Sequence, residues 1–130
     1  MADTAVTWAS RMQKTVARSS MEAEYMALSE ASSEIAWLTA LQWEIGYESN
    51  GPVPLVADNQ GGIFLAVNPA HDRRLKHVNI YYHFICEYIE EEHINIVYVA
   101  TDKMIADTLT KPLGTMKFEG LWSQLGITTD

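Results

Sequence analysis

Residues 51–60 read Gly-Pro-Val-Pro-Leu-Val-Ala-Asp-Asn-Gln. An apolar run, Val53 to Ala57, is opened by glycine and proline and closed by polar residues. Short apolar runs bounded in this way read as buried strands, often parallel ones, because a strand covered on both faces loses its polar–apolar alternation. A parallel partner needs a crossover connection, usually helical, and the flanking chain supplies helices. Upstream, Ser19 and Glu22 fit a capping box, the hydroxyl covering an orphan amide and the carboxylate reaching back. The helix they open runs to Gly46, which suits a left-handed stop. Leu28, Ala31, Ile35, Leu38 and Ile45 recur on it at three- and four-residue spacing and predict its buried stripe. Downstream, Gln60–Val67 reads as a short helix stopped by Asn68-Pro69. A polar, locally basic loop follows over 71–76. His77–Glu92 reads as a helix with Val78, Tyr81 or Tyr82, Ile85 and Ile89 on its apolar face, and Ile94–Val99 as a strand. Lys103–Lys111 reads as helical up to Pro112, and Thr115–Leu125 as a last amphipathic helix stopped by Gly126. Near the N-terminus, 5–9 and 15–17 carry β-branched and aromatic residues and predict two short strands. The order β-β-α-β-α-α-β-α-α predicts an α/β sheet with a parallel portion. Strands are scarce for so many helices.

The chain has 130 residues, enough for one domain with a real core. Hydrophobic residues make up 48% and charged residues 20%, an ordinary soluble globular composition that counts against disorder. No apolar run is long enough to span a membrane. The N-terminus, with Asp3, lacks the charged and apolar pattern of a signal peptide, so an intracellular chain, or a fragment of one, is expected. The single Cys86 excludes an internal disulfide framework and an all-cysteine metal site. A net charge of −8 counts against a domain that grips nucleic acid by charge alone.

Among the acids, position selects three. Glu24 lies four residues before Leu28 and continues the stripe, so it is expected on the core side of its helix. An ionised carboxylate there needs a partner or a metal; alternatively it sees water in the first turns and favours the helix dipole. Asp58 ends the strand, where ligands of open α/β sheets sit, or else caps the following helix. Asp107 lies among Met104, Ile105, Ala106 and Leu109 and reads alone as a solvated helix position. Three acids from separate elements meeting at one sheet edge would suit Mg²⁺ or Mn²⁺, and two such ions can clamp the oxygens of a phosphodiester.

Four stretches together resemble one family. They are SSMEAEYMALSEASSEIAWL (19–38), LVADNQGGIFLAVNP (55–69), KHVNIYYHFICEYIEE (76–91) and VYVATDKMIADTLTKPL (97–113). In order and spacing they are similar to the ribonuclease H domain at the end of copia-type retrotransposon polyproteins, and KFEGLWSQLGI (117–127) resembles the usual tail. The resemblance implies a ribonuclease H-like mixed sheet flanked by helices. It also implies hydrolysis of the RNA strand of RNA–DNA hybrids with two Mg²⁺ (or Mn²⁺) ions held by acids. Glu24, Asp58 and Asp107 fall on the family's catalytic, metal-binding positions, with Glu22 left to its capping role. The family's first two strands, and the first catalytic Asp, have no counterpart here, Asp3 being no replacement. A position that is usually acidic is Asn79. Impaired catalysis is therefore expected, or a non-enzymatic remnant serving as an interaction module. An unpaired sheet edge invites a second copy. The resemblance also implies a neighbouring reverse transcriptase domain, a location in cytoplasm, virus-like particle or nucleus, and phosphate contact by Arg73, Arg74, Lys76 and His77, which otherwise read as a solvated loop. His83 and Cys86, one turn apart, lack further ligands at zinc spacing and read as packed or partly exposed. Trp8, Trp37, Trp43, Trp122 and the Tyr81–Tyr82 pair read as core and inter-element contacts.

Overall fold

The computed structural model describes residues 4–47, 50–67 and 79–127. The chain forms two compact units, Ala17–Tyr98 and a smaller one made of Met1–Val16 with Val99–Asp130. The larger holds α1 (Ser20–Glu44), β1 (Val53–Ala57), α2 (Gln60–Val67), α3 (Asn79–Glu90) and β2 (Ile94–Tyr98). The smaller holds a 3₁₀ turn at Thr101–Lys103, α4 (Asp107–Thr110), α5 (Thr115–Trp122) and a second 3₁₀ turn at Ser123–Leu125.

α1 begins as its sequence requires. Ser19 is extended and its Oγ accepts the Glu22 amide at 3.1 Å. The Glu22 carboxylate reaches back to the amide of Arg18 at 2.8 Å, one residue beyond the cap itself. The helix stops at Gly46, in left-handed conformation at φ 78°. β1 and β2 pair in parallel from Val53 opposite Ile94 to Ala57 opposite Tyr98. The chain is thus α/β, with helices packed on a small parallel sheet in the larger unit, consistent with a ribonuclease H-like arrangement. Tyr25, Leu28, Ala57, Ala66 and Ile85 form the core, ringed by Met21, Leu55, Ile63, Ile89 and Ile96. One face of the sheet meets these helices. On the other, Pro54, Val56, Asn95 and Val97 are exposed, so within this unit the strands are covered on one side only.

Several expectations are corrected. The buried positions of α1 are Tyr25, Leu28, Ser29 and Ser32, while Ala31, Ile35 and Leu38 are half-buried and Ile45 is exposed. Ser32 is accommodated because its hydroxyl donates to the Leu28 carbonyl at 2.8 Å, and a periodicity of apolar residues cannot register a buried serine. At about 100° per residue, this turns the buried face away from Glu24, which is exposed. Trp8, Trp37 and Trp43 are exposed, not core. For the latter two the reason is length: α1 extends about 38 Å beside strands of about 17 Å, and its second half overshoots. Trp122 is half-buried and stacks on Phe118, one turn earlier on its own helix, with centroids 5.4 Å apart, a contact within α5 and not between elements. Neither 5–9 nor 15–17 forms a strand. Val6 and Val16 face solvent, and in its own unit the segment is tied by the Ala5 amide to the Leu125 carbonyl at 2.9 Å. A lone segment with no ladder partner has no reason to be regular. The helix expected over 103–111 is broken at Met104, which is extended. Lys111 is also extended, as the residue before a proline prefers. α5 ends at Trp122 and continues as a 3₁₀ turn to Gly126, left-handed at φ 67°. The stop at Asn68-Pro69 and the loop over 71–76 lie outside the described residues.

Ile85 is fully buried at the centre of the core. Ile85→Ala is expected to lower stability by about 3 kcal/mol in urea denaturation, whereas Val16→Ala, on the surface, is expected to shift it by less than about 0.5 kcal/mol.

Candidate functional site

β1 delivers the chain to Asp58 and Asn59, which turn it into α2. Asn59 is the cap: its Oδ1 accepts the Gly62 amide at 3.0 Å and its carbonyl the Ile63 amide at 3.1 Å. The capping role open to Asp58 is therefore taken by its neighbour. Asp58 is half-buried at the carboxyl end of a parallel strand, the end at which open α/β sheets receive ligands.

Two glycines bring α1 to this turn. A Cβ on Gly62 would lie 3.7 Å from the Glu24 Cβ and 3.7 Å from Leu28 Cδ1. A Cβ on Gly61 would lie 3.2 Å from Asn59 Oδ1 and 3.4 Å from Met21 Sδ. The first turns of α1 and α2 are thus side by side. Glu24 and Asp58 flank the same turn, Glu24 with its Cβ against the corner and its residue exposed to solvent.

Asp107 belongs to the smaller unit. It opens α4 and is buried, with 5% of its surface exposed. Both carboxylate oxygens lie 2.9 Å from Lys111 Nζ. The solvated position expected from sequence is overturned, because the ammonium one turn later covers the charge and allows its burial. The Asp-to-Lys spacing of four was the signal for this pair, and Lys111 was not among the expected site residues. Among the described residues, no group of three or more His, Cys, Asp or Glu is gathered to hold a metal ion. Cys86 is packed, its thiol 3.7 Å from the Ala66 carbonyl. Arg73, Arg74, Lys76 and His77 lie outside the described residues. No helix, among those residues, is long and apolar enough to cross a membrane.

No family model matches the chain, and no solved structure matches it. Curated proteins do. The chain is 40% identical over 123 residues, 95% of its length, to the Retrovirus-related Pol polyprotein from transposon RE1 of Arabidopsis thaliana. Homologues along nearly the whole chain are Pol polyproteins of transposons. A second polyprotein of the same plant, from transposon RE2, is 38% identical over 94% of the chain, and that of transposon TNT 1-94 from Nicotiana tabacum is 36% identical over 88%. The chain spans only 8–9% of the length of these relatives.

The corner depends on the Asn59 cap and, in the other unit, α4 depends on the Lys111 pair. Asn59→Ala is expected to cost about 1 kcal/mol. Lys111→Met, which leaves the buried Asp107 carboxylate without that cation, is expected to cost about 1–3 kcal/mol. Urea denaturation measures both.

Proposed function

We propose that this chain is the ribonuclease H segment of a retroelement Pol polyprotein, a nuclease for the RNA strand of RNA–DNA hybrids. Its acids are Glu24, Asp58 and Asp107. The reading is carried by one observation: Glu24 and Asp58, far apart in sequence, flank a single turn at the carboxyl end of a parallel strand. Homology to transposon Pol polyproteins along nearly the whole chain supports it. Two carboxylates at an open corner are a donor set that Mg²⁺ or Mn²⁺ accepts, since such ions keep several waters and share their remaining positions with substrate phosphates. When bound, the metal stabilises developing charge on the phosphodiester and acidifies a water. Glu24 and Asp58 would hold the metal, and the Asn59 cap fixes the turn that presents Asp58. The basic residues Arg73, Arg74, Lys76 and His77 contact the phosphates of the hybrid.

A second reading is favoured by the Asp107–Lys111 pair, which commits one of the three acids to structure. In this reading the chain is a non-enzymatic retroelement remnant, an interaction module. Its partner surface is the open edge of a sheet that, among the described residues, has two strands, where a second copy or the neighbouring reverse transcriptase domain pairs.

Cleavage of an RNA–DNA hybrid with Mg²⁺ or Mn²⁺ is the test. Weak cleavage that Asp58→Asn abolishes is the outcome expected of the nuclease. Equal rates in both proteins, or none in either, remove that reading for this chain. Sedimentation then tests the second copy: a dimer is expected, and a compact monomer at all concentrations ends the edge-pairing idea.

A further inference from the structure

At the opposite end of β1 from Asp58, about 16 Å along the strand, the larger unit has an open cleft of about 380 Å³. The end of α1 contributes Thr39, Trp43 and Tyr47, β1 contributes Val53, and the turn between α3 and β2 contributes Glu92 and His93. Trp43 is 72% exposed and Tyr47 47% exposed, so both rings offer surface to solvent. The cleft lies where two helices end. Neither α1 nor α3 has a basic residue in its last turn. The partial negative charge of each carbonyl end is therefore not offset by a basic residue in that helix's own last turn. Glu44 closes α1, and Glu90, Glu91 and Glu92 close and follow α3. His93 is held 3.1 Å from the Glu91 carboxylate and lies 4.9 Å from the Tyr88 ring.

The two helix ends share one hydrogen-bond pattern but differ at its critical residue. At α1 the amides of Gly46 and Tyr47 donate to the carbonyls of Trp43 and Gln42 at 3.0 and 2.8 Å. At α3 the amides of Glu92 and His93 donate to the carbonyls of Ile89 and Tyr88 at 3.1 and 3.0 Å. Both are Schellman ends, whose left-handed residue is usually glycine. α1 places Gly46 there. α3 places Glu92, at φ 57°, the one non-glycine residue of positive φ among those described. A side chain at this position carries a steric penalty, and a negative charge at a helix carbonyl end carries an electrostatic one. Strained residues of this kind cluster at functional sites. Glu92 weakens the helix end and lines the same cleft as Trp43 and Tyr47.

We propose that this cleft binds an arginine side chain presented by a basic polypeptide partner. A guanidinium is planar, stacks on aromatic faces and donates in a fork to a carboxylate. Trp43 and Tyr47 supply the faces, Glu92 the acceptor, and the two helix ends the surrounding negative potential. The site is independent of hybrid cleavage, at the other end of the strand.

The probe is an octapeptide of alternating arginine and glycine, with its lysine counterpart as comparison, titrated into the full chain and followed by NMR. Shifts are expected to centre on Thr39, Tyr47, Glu92, His93 and the Trp43 indole, with tighter binding of the arginine peptide. Glu92→Gly removes the carboxylate and the strain together. It is expected to weaken binding about tenfold while raising Tm by about 3–5 °C. Glu92→Gln keeps the strain, so binding falls with Tm nearly unchanged. Trp43→Ala weakens binding as well, and Glu119→Gln, on α5, leaves it as it was. Equal binding of the lysine peptide, shifts spread evenly over the acidic surface, equal weakening by Glu119→Gln, or a Glu92→Gly protein that binds as tightly as the original would each overturn the assignment. A lower Tm for Glu92→Gly would overturn it too.

Discussion

The larger unit depends on how closely α1 can approach the turn that leaves β1. Gly61 and Gly62 have no side chains at that crossing. Even a methyl group at Gly62 reaches van der Waals contact with Glu24 and Leu28, and one at Gly61 is tighter still against the Asn59 amide oxygen. Larger residues would lever α1 outward, and with it Tyr25 and Leu28, which fill the centre. Two of the other core residues are Ala57 and Ala66, again small. Close approach by small residues is what lets a two-stranded sheet and three helices make a dry core. The Asn59 cap lets α2 begin immediately, with no spare residue to widen the angle.

Much of this was legible because the signals were local. Ser19 and Glu22 sit where a capping box belongs, and Gly46 and Gly126 adopt the left-handed conformation their positions imply. The run at 53–57 is a parallel strand, and its partner at 94–98 falls where alternation put it. The failures were of another kind. Ser29 and Ser32 are buried because hydroxyls can be satisfied inside a helix, so counting apolar residues put the stripe in the wrong place and pointed Glu24 inward. Residues 5–9 have the composition of a strand, but strands need partners, and composition cannot supply one.

The candidate site was read with the same mixture. Asp58 and Asn59 were both plausible caps, and only the hydrogen bond to Gly62 separates their duties. The company of Glu24 and Asp58 at one turn depends on the crossing of α1 and α2, which no local pattern encodes. The immediate sequence neighbours of Asp107, Ala106 and Thr108, give no sign of a partner for its charge. The Lys111 ammonium, one turn on, changes its setting altogether. The exposed Trp43 was assigned to packing by residue type, whereas exposure depends on how far α1 outruns the body beside it.

The parallel pairing of β1 with β2 also carries a consequence for how the chain is made. Val53 and its partner Ile94 are 41 positions apart, so β1 leaves the ribosome well before β2 can pair with it. At synthesis rates of about 5–20 residues per second, the delay is roughly 2–8 seconds, long beside the microseconds in which helices form. During that interval a bare apolar strand is open to pairing with other nascent chains. Pro54, second in the strand, has no amide hydrogen to offer them. The residue that interrupts the apolar run is thus a gatekeeper for the newborn chain, protecting the strand until α2 and α3 have carried β2 back to it.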